Sequence, residues 1–347
     1  MRIAHIIWAL ETGGAETMLV DIINEQVKSQ EVALLVVNDL YNVKLLKKID
    51  SRCKVKLFRR RIGSKSLIPW LMVNLFLWRC RPDIVHFHLE GMRKMVFYPV
   101  PKVFTIHNMH TSGVEYSRFA ALYSISDAVR RKTKAQGFDS QTIWNGIYSN
   151  KVLARQTPSN MDLPHFNIVC VGRLYTPHKG QDLLVRALSI LKNKGLNNFH
   201  LDIIGEGTSR SELENLVSEL DLQDYITFAG QKDRDYLYKN ICCYDLFVLP
   251  SRSEGFGLSV AEAMCAKVPV LISDLDGPME VIDNGNLGLH FKSEDVEDLA
   301  AKIELFFNGG IKYDVIEAAY EFACEHFDIR KVAEKYITEY RKILVNK

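Results

Sequence analysis

Two glutamates eight positions apart bracket the stretch of this chain best suited to chemistry, Glu254-Gly-Phe-Gly-Leu-Ser-Val-Ala-Glu262. The apolar runs at residues 246–249 and 268–272 on either side suit buried parallel strands. Between them Leu258, Val260, Ala261, Met264 and Cys265 recur at helical spacing, and Gly255 and Gly257, which disfavour helix, mark its start. That places Glu254 in a loop and Glu262 about a turn inside the helix. The amides of Gly257, Leu258 and Ser259 then have no intrahelical acceptor, and with the helix dipole they make an anion site suited to phosphate. A carboxylate beside a phosphate is repelled. Glu254 would therefore meet something neutral attached to the phosphate, such as sugar hydroxyls, while Glu262 could take a ribose. The alternative is structural: Glu254 caps the helix and Glu262 lies on a solvated face.

Other residues carry weaker signals singly. Arg173 follows the strand-like run 167–172, which ends in Gly172, and Lys179 precedes Gly180; each cation alone is an ordinary surface charge. Gly205, Gly207 and Gly230 end two further strand-like runs. His107 sits just past the run 103–106, where open α/β sheets place their ligands. His86 and His88 share one strand face and could bind metal, but no third ligand is evident and zinc is not expected. Asp274-Leu-Asp276 resembles a metal motif, but it comes late, after the phosphate helix, and Asp233-x-Asp235 shows how cheaply the pattern recurs. Gly13-Gly14 joins a first strand to a helix without the Gly-x-Gly-x-x-Gly spacing of dinucleotide binders.

Positioning these residues takes a regular frame. Short apolar runs at 3–9, 32–37, 84–87, 103–106, 122–125 and 141–144 alternate with helix-length segments, which is an α/β rhythm, and the pattern restarts at residue 167. The 347 residues allow about two domains. Residues 149–165, with Pro158, Ser159, Asn160 and Pro164, have linker composition, so the domains are expected at 1–163 and 164–327, with 328–347 a terminal helix. Charge divides the same way: residues 1–163 hold 24 Lys and Arg against 13 Asp and Glu, and residues 164–347 hold 20 against 29. The basic half suits a phosphorylated partner, nucleic acid or an anionic membrane face. Seven scattered cysteines, in apolar surroundings and without Cys-x2-Cys pairs, fit a reducing compartment. The 14-residue apolar run from Leu67 to Cys80 is shorter than a membrane span, and no secretory signal is expected.

The stretch Glu254 to Glu262, with Pro250-Ser-Arg-Ser253 before it and Pro269-Val270 after it, resembles the Glu-x7-Glu signature of family 4 retaining glycosyltransferases. Gly172-Arg173-Leu174, Lys179-Gly180, Gly13-Gly14-Ala-Glu, Asn145-Gly146 and the Gly-x-x-Glu stretch ending at Glu280 are similar to further family elements, although Asp276 stands where a second Gly is common. The resemblance covers the chain, most loosely over residues 39–102. It implies the GT-B fold, two Rossmann-like parallel-sheet domains facing a cleft, with the terminal helix crossing back to the first. It also implies that Arg173 and Lys179 bind the donor diphosphate and that Gly13 and Gly14 lie against its phosphates. By the same resemblance Gly205, Gly207 and Gly230 would surround its base, Gly255, Phe256, Gly257, Leu258 and Ser259 would complete its site, and His107 would lie beside the transferred sugar.

The expectation is thus a cytoplasmic, retaining, metal-independent glycosyltransferase without cofactor. It would move a sugar from a nucleoside-diphosphate sugar, UDP-linked by preference, to a saccharide or lipid-linked acceptor in capsule, exopolysaccharide or lipopolysaccharide synthesis. Nucleic acid is not an expected partner. A basic, then apolar, segment from Arg52 to Arg81 either packs under the sheet or docks on an anionic membrane surface. The rivals are a non-catalytic nucleotide-sugar-binding protein and an NAD-dependent oxidoreductase. The second is disfavoured by the missing dinucleotide fingerprint.

Overall fold

A computed structural model of the chain describes all residues except 12, 89–91, 108–115, 157–164, 310–311 and 346–347. It divides into two compact units, residues 1–147 with 328–347, and residues 148–327. The expected boundary between 163 and 164 lies outside the described residues. The described residues just before it belong to the second unit. Leu153 N donates to Tyr238 O at 2.8 Å and Arg155 N to Ala266 O at 3.0 Å, and the Arg155 guanidinium pairs with buried Asp245 at 3.3 Å. Linker composition therefore misplaced the division, because these residues find backbone partners and an ion pair in the unit that follows them.

In the first unit seven parallel strands, β1 (Arg2–Ile7), β2 (Glu31–Asn38), β3 (Lys54–Arg60), β4 (Ile84–Phe87), β5 (Lys102–Ile106), β6 (Ala121–Ser124) and β7 (Gln141–Thr142), lie in the order β3-β2-β1-β4-β5-β6-β7. Its helices are α1 (Gly14–Gln26), α2 (Val43–Lys47), α3 (Ile68–Cys80), α4 (Asp127–Ala135) and, from the end of the chain, α13 (Ile329–Val345). The second unit has six parallel strands, β8 (Phe166–Val171), β9 (Phe199–Ile204), β10 (Ile226–Gly230), β11 (Leu246–Leu249), β12 (Val270–Ser273) and β13 (Leu289–Phe291), ordered β10-β9-β8-β11-β12-β13. Its helices are α5 (Thr176–Lys179), α6 (Gln181–Asn193), α7 (Arg210–Glu219), α8 (Arg234–Asn240), α9 (Leu258–Cys265), α10 (Asp276–Val281), α11 (Val296–Phe307) and α12 (Tyr313–His326).

Each sheet reverses its strand order once, between β1 and β4 and between β8 and β11, the doubly wound pattern that binds ligands beyond the carboxyl ends at the reversal. Central strands are buried along nearly their whole length, as sheets covered on both faces require. β3 was not expected as a strand, because its Lys-Val-Lys-Leu-Phe-Arg-Arg sequence reads as a basic loop. It is an edge strand, where outward lysines discourage further pairing. The apolar face of α13 (Ile329, Val332, Ala333, Tyr336, Ile337 and Tyr340) is buried within the first unit.

The carboxyl ends of β8 and β9 run in direct backbone contact. A Cβ added at Gly205, whose φ is +152°, would overlap the Gly172 carbonyl oxygen. Gly205→Ala should therefore push these strand ends apart and lower the stability of the second unit by at least about 1 kcal/mol. Urea unfolding followed by intrinsic fluorescence checks this; an unchanged midpoint would mean the strand ends relax freely.

Candidate functional site

The loops that leave β8, β9, β10 and β11 gather the predicted donor-site residues of the second unit on one edge of its sheet. Gly180, φ +61°, joins α5 to α6, and its missing Cβ lets it sit against the Pro250 carbonyl. The same two loops are tied by Arg252 N and Ser253 N, which donate to His178 O at 2.9 and 3.1 Å. That docking brings Lys179 Nζ to 2.5 Å from Glu254 Oε2, across 75 positions of sequence. The two side chains are 28% and 19% exposed, so the pair is screened by water less than a surface pair but remains reachable.

Arg173 lies beside this pair in the chain path, exposed, with no ion-pair partner among the described residues. Its carbonyl accepts from Gln181 Nε2 at 2.9 Å, which fixes the backbone from which the guanidinium projects. Gly257 caps α9 with φ +104°, and no side chain caps the helix. Leu258 and Ser259 are half-exposed, so the first amides of α9 are available to an anion. Glu254 does not cap α9, as the structural alternative had it; its partner is Lys179.

Three expected site residues have surroundings that the sequence did not show. The Phe256 side chain is 1% exposed and packs edge-on against Phe327 at 5.3 Å, so it belongs to the core and can offer a ligand only its backbone. Glu262 is neither solvated nor open to a ribose on every side: it is 6% exposed and Arg234 Nε donates to its Oε1 at 3.0 Å. Gly13 starts α1 in the first unit, but the Glu16 carboxylate folds back to where a Cβ on Gly13 would stand. A phosphate there would meet a negative charge, which weakens the assignment of Gly13 and Gly14.

Arg252, quoted in the sequence only as part of Pro250-Ser-Arg-Ser253, proves to hold the site together. Its guanidinium grips Asp182 through two bonds, at 2.6 and 2.9 Å, and reaches Glu294 at 2.7 Å and Thr176 O at 2.8 Å. It clamps the loop before Glu254 to α5 and α6. Only the surplus of arginine donors hinted at it. Around the loops that follow β9 and β10, Arg210 pairs with Glu206 at 2.6 Å and lies over Phe228 at 5.3 Å, next to Gly205, Gly207 and Gly230. Neither Asp-x-Asp pattern presents paired carboxylates: Asp233 caps α8 through Tyr236 N, and Asp274 accepts from Ser293 N, both at 2.8 Å, while Asp276 opens α10.

The first unit holds a separate polar cluster. The pair His86 and His88 does have a third ring beside it, His5, the register partner of His86 on β1. It escaped notice because it precedes His86 by 81 residues while neighbouring it in space. All three are buried. His5 Nδ1 and His88 Nε2 lie 2.9 Å apart, His5 Nε2 bonds Gln26 Oε1 at 2.8 Å, and the two nitrogens of His86 bond Tyr340 Oη at 2.6 Å and Thr105 Oγ1 at 2.7 Å. A metal would have to displace these bonds. His107, at the carboxyl end of β5, is half-buried and 3.4 Å from His88. Burial pushes His5 and His107 down to about 4, and burial followed by neighbouring imidazoles holds His86 and His88 well below the usual range, so all four are neutral at pH 7.

Residues 157–321 match the sequence model of the family described as "Glycosyl transferases group 1". The chain spans about half the length of several curated relatives it matches. Among them are uncharacterized glycosyltransferases from Haemophilus influenzae (24% identical over 206 residues, 56% of this chain and 57% of the relative) and Methanocaldococcus jannaschii (31% over 182 residues, 52% and 48%). A lipopolysaccharide core biosynthesis glycosyltransferase of Rhizobium meliloti is 27% identical over 318 residues, 87% of both chains. Two solved structures superpose over the whole chain. A glycosyltransferase from Rickettsia africae gives a TM-score of 0.83 at 20% identity, covering 100% and 99% of the two chains. Anabaena HepE with UDP and glucose gives 0.82 at 19%, covering 99% and 100%. The chain therefore has the GT-B fold of two Rossmann-like parallel-sheet domains.

The Arg234–Glu262 pair is the buried charge contact of α8 and α9, with side chains 14% and 8% exposed. Removing one partner of such a pair strands the other charge. Arg234→Ala should cost the second unit about 3–5 kcal/mol, and Glu262→Gln clearly less, since a neutral amide can still accept from Arg234. Thermal unfolding of both variants checks the order; equal losses would mean packing, not charge, dominates.

Proposed function

We propose that the protein is a retaining glycosyltransferase of family 4 that moves a sugar from a nucleoside-diphosphate sugar, UDP-linked by preference, to a saccharide or lipid-linked acceptor. The observation that carries this reading is the Lys179–Glu254 pair beside exposed Arg173 and the uncapped start of α9. Cleaving the anomeric C–O bond leaves negative charge on the diphosphate, and preorganised cations and amides lower that part of the barrier most. A diphosphate would draw the Lys179 N–H groups from Glu254 to its own oxygens, and Glu254 would then be free to accept from sugar hydroxyls. The leaving phosphate can itself take the acceptor proton, so no protein base, metal or cofactor is invoked. The group 1 match over residues 157–321 supports transfer over an NAD-dependent reaction. The UDP and glucose named with HepE support the donor class, and the lipopolysaccharide relative supports a cell-surface glycan as product.

Arg173→Ala and Lys179→Ala should each lower kcat roughly 100- to 1,000-fold, about 2.7–4 kcal/mol per lost contact. Glu254→Gln should impair transfer while leaving UDP affinity by calorimetry unchanged. Activity near wild type in both cation variants would put the diphosphate elsewhere, and tighter binding of NAD than of UDP, GDP or ADP would overturn the donor class.

We further propose that the first unit docks on an anionic membrane face at the cytoplasmic side. Among the described residues no helix is long and apolar enough to cross a membrane. α3 instead presents one apolar stripe to solvent: Ile68, Leu71, Leu75 and Trp78 are 65%, 68%, 70% and 58% exposed, with Ile62, Leu67 and Met72 adjoining. Trp70, Val73, Asn74 and Leu77 on the opposite face hold the helix to the unit. So the segment does not simply pack under the sheet, which was the alternative to docking. Residues 51–82 hold nine Lys and Arg and no Asp or Glu, which complements acidic head groups at about 1 kcal/mol per cation near the surface. Arg60 is committed elsewhere, stacked over Trp8 at 5.5 Å and bonded to Asn38.

Sedimentation with vesicles containing phosphatidylglycerol should show binding that weakens with salt and is largely lost when Arg59, Arg61 and Lys65 become Ser. No binding, or binding indifferent to those changes, would point to a soluble acceptor.

A further inference from the structure

One hydrogen-bonded line runs through the first unit from the interior to the edge of its sheet. It begins at Gln26 on α1, whose side-chain oxygen faces His5 Nε2 at 2.8 Å; His5 Nδ1 meets His88 Nε2 at 2.9 Å; and His88 Nδ1 meets His107 Nε2 at 3.4 Å. A carbonyl oxygen only accepts, and each neutral imidazole carries one N–H and one lone pair. The direction of every bond therefore follows from the first. His5 donates through Nε2 to Gln26 and accepts at Nδ1, His88 donates through Nε2 and accepts at Nδ1, and His107 donates through Nε2. What remains is His107 Nδ1, a lone pair that is buried and has no partner among the described residues.

The neighbouring groups touch this line at few points, Gln26 also reaching Tyr340. His86, tilted by 35° against His88 with ring centroids 4.1 Å apart, is closest to it, but both of its nitrogens are taken by Tyr340 and Thr105, and Thr105 continues to Tyr336 at 3.1 Å. Tyr123, Tyr336 and Tyr340 close the apolar wall, and their hydroxyls are pushed above the usual tyrosine range chiefly by burial, so they bring no negative charge to the rings. A line of satisfied bonds in a dry environment holds its rings more firmly than the same bonds would in water.

We propose that Gln26, His5 and His88 are positioning residues that hold His107 as its Nε2–H tautomer, so that its Nδ1 lone pair stands at the carboxyl end of β5 as an acceptor for a saccharide hydroxyl. The proposal rests on the transferase reading only for the identity of that hydroxyl's owner. The bond formed is a hydrogen bond from the hydroxyl to Nδ1, and no proton need leave the substrate. Because the line starts at a side chain on α1, a change at Gln26, four links from the substrate, alters which nitrogen of His107 can accept.

The test reads tautomers directly. In protein labelled with ¹⁵N-histidine and free of substrate, with His107→Asn used to assign its signals, two-bond ¹⁵N–¹H correlation at pH 7.5 should show His5, His88 and His107 all protonated at Nε2. Gln26→Leu removes the starting acceptor and should give mixed tautomers at His5 and His107, whereas Gln26→Glu retains an acceptor and should restore the wild-type pattern. A wild-type His107 protonated at Nδ1 overturns the proposal without any variant. So does an unaltered His107 in folded Gln26→Leu. With a donor and acceptor that the wild type turns over, Gln26→Leu should lose roughly 10- to 100-fold in kcat, the scale for residues that orient a working histidine, with little change in donor KM and with recovery in Gln26→Glu. Mixed tautomers with unchanged kcat would remove the positioning role. A protein that turns over no sugar nucleotide would instead defeat the transferase reading and leave the tautomer result standing.

Discussion

A parallel strand cannot be followed by a tight hairpin into its neighbour; the chain must cross back over the sheet before it can pair. Every carboxyl end therefore falls on one edge of its sheet, and every loop that leaves it is a separate stretch of sequence. In the second unit this constraint alone brings residues 172–174, 205–207, 230 and 250–257 to the same edge. The reversal of order between β8 and β11 then spreads two of those loops apart, since their crossovers leave on opposite faces. Close backbone approach does the rest. Gly205 against Gly172 and Gly180 against Pro250 leave no room for a side chain, so the loops meet at main-chain distance and the polar side chains beside them are forced outward.

The charges at that edge are arranged as pairs that differ in how readily they exchange. Lys179 with Glu254 and Arg252 with Asp182 are both partly accessible, but Arg252 holds four acceptors and Lys179 one among the described residues. An incoming dianion can compete for a lysine with a single partner; it cannot strip an arginine bound in a fork to one carboxylate and to two further oxygens without stranding all of them. Arg252 is thus framework and Lys179 is available, although both are cations of similar exposure. This distinction depends on partner count, which no spacing rule contains.

That is also the limit of what the residues revealed by themselves. β11 is a four-residue apolar run between polar turns and was legible to the residue, and α9 and β12 follow from helical spacing and the next apolar run. β3 was not legible, because an edge strand needs little apolar surface and its charges obscure the alternation. Phe256 sits amid glycines in a loop, a setting that suggests a ligand contact, yet a large aromatic ring seeks burial and found Phe327 instead. The third histidine was hidden for the opposite reason to Arg252. His5 lies within an apolar strand, where a lone polar residue reads as an exception, and only the register of β1 against β4 shows that it faces His86.

The two units handle burial differently, and the difference bears on function. The second unit surrounds α6 and β8 with an apolar cluster running from Ile168 through Leu191 to Phe306, and its buried charges stand in ion pairs, Arg155 with Asp245 and Arg234 with Glu262. The first unit places the imidazoles of His5, His86 and His88, with Tyr123, Tyr336, Tyr340, Thr105 and Gln26, inside, where apolar residues would pack with less risk of an unmet bond. Such a network stabilises only if its members are paired, and most atoms here are, Gln26 Nε2, Tyr123 Oη and His107 Nδ1 excepted among the described residues. Of these, His107 Nδ1 lies at the carboxyl end of the sheet, where doubly wound folds bind their ligands. A network kept at that cost, ending in one unmet acceptor at that place, is better explained by what it presents than by what it holds together.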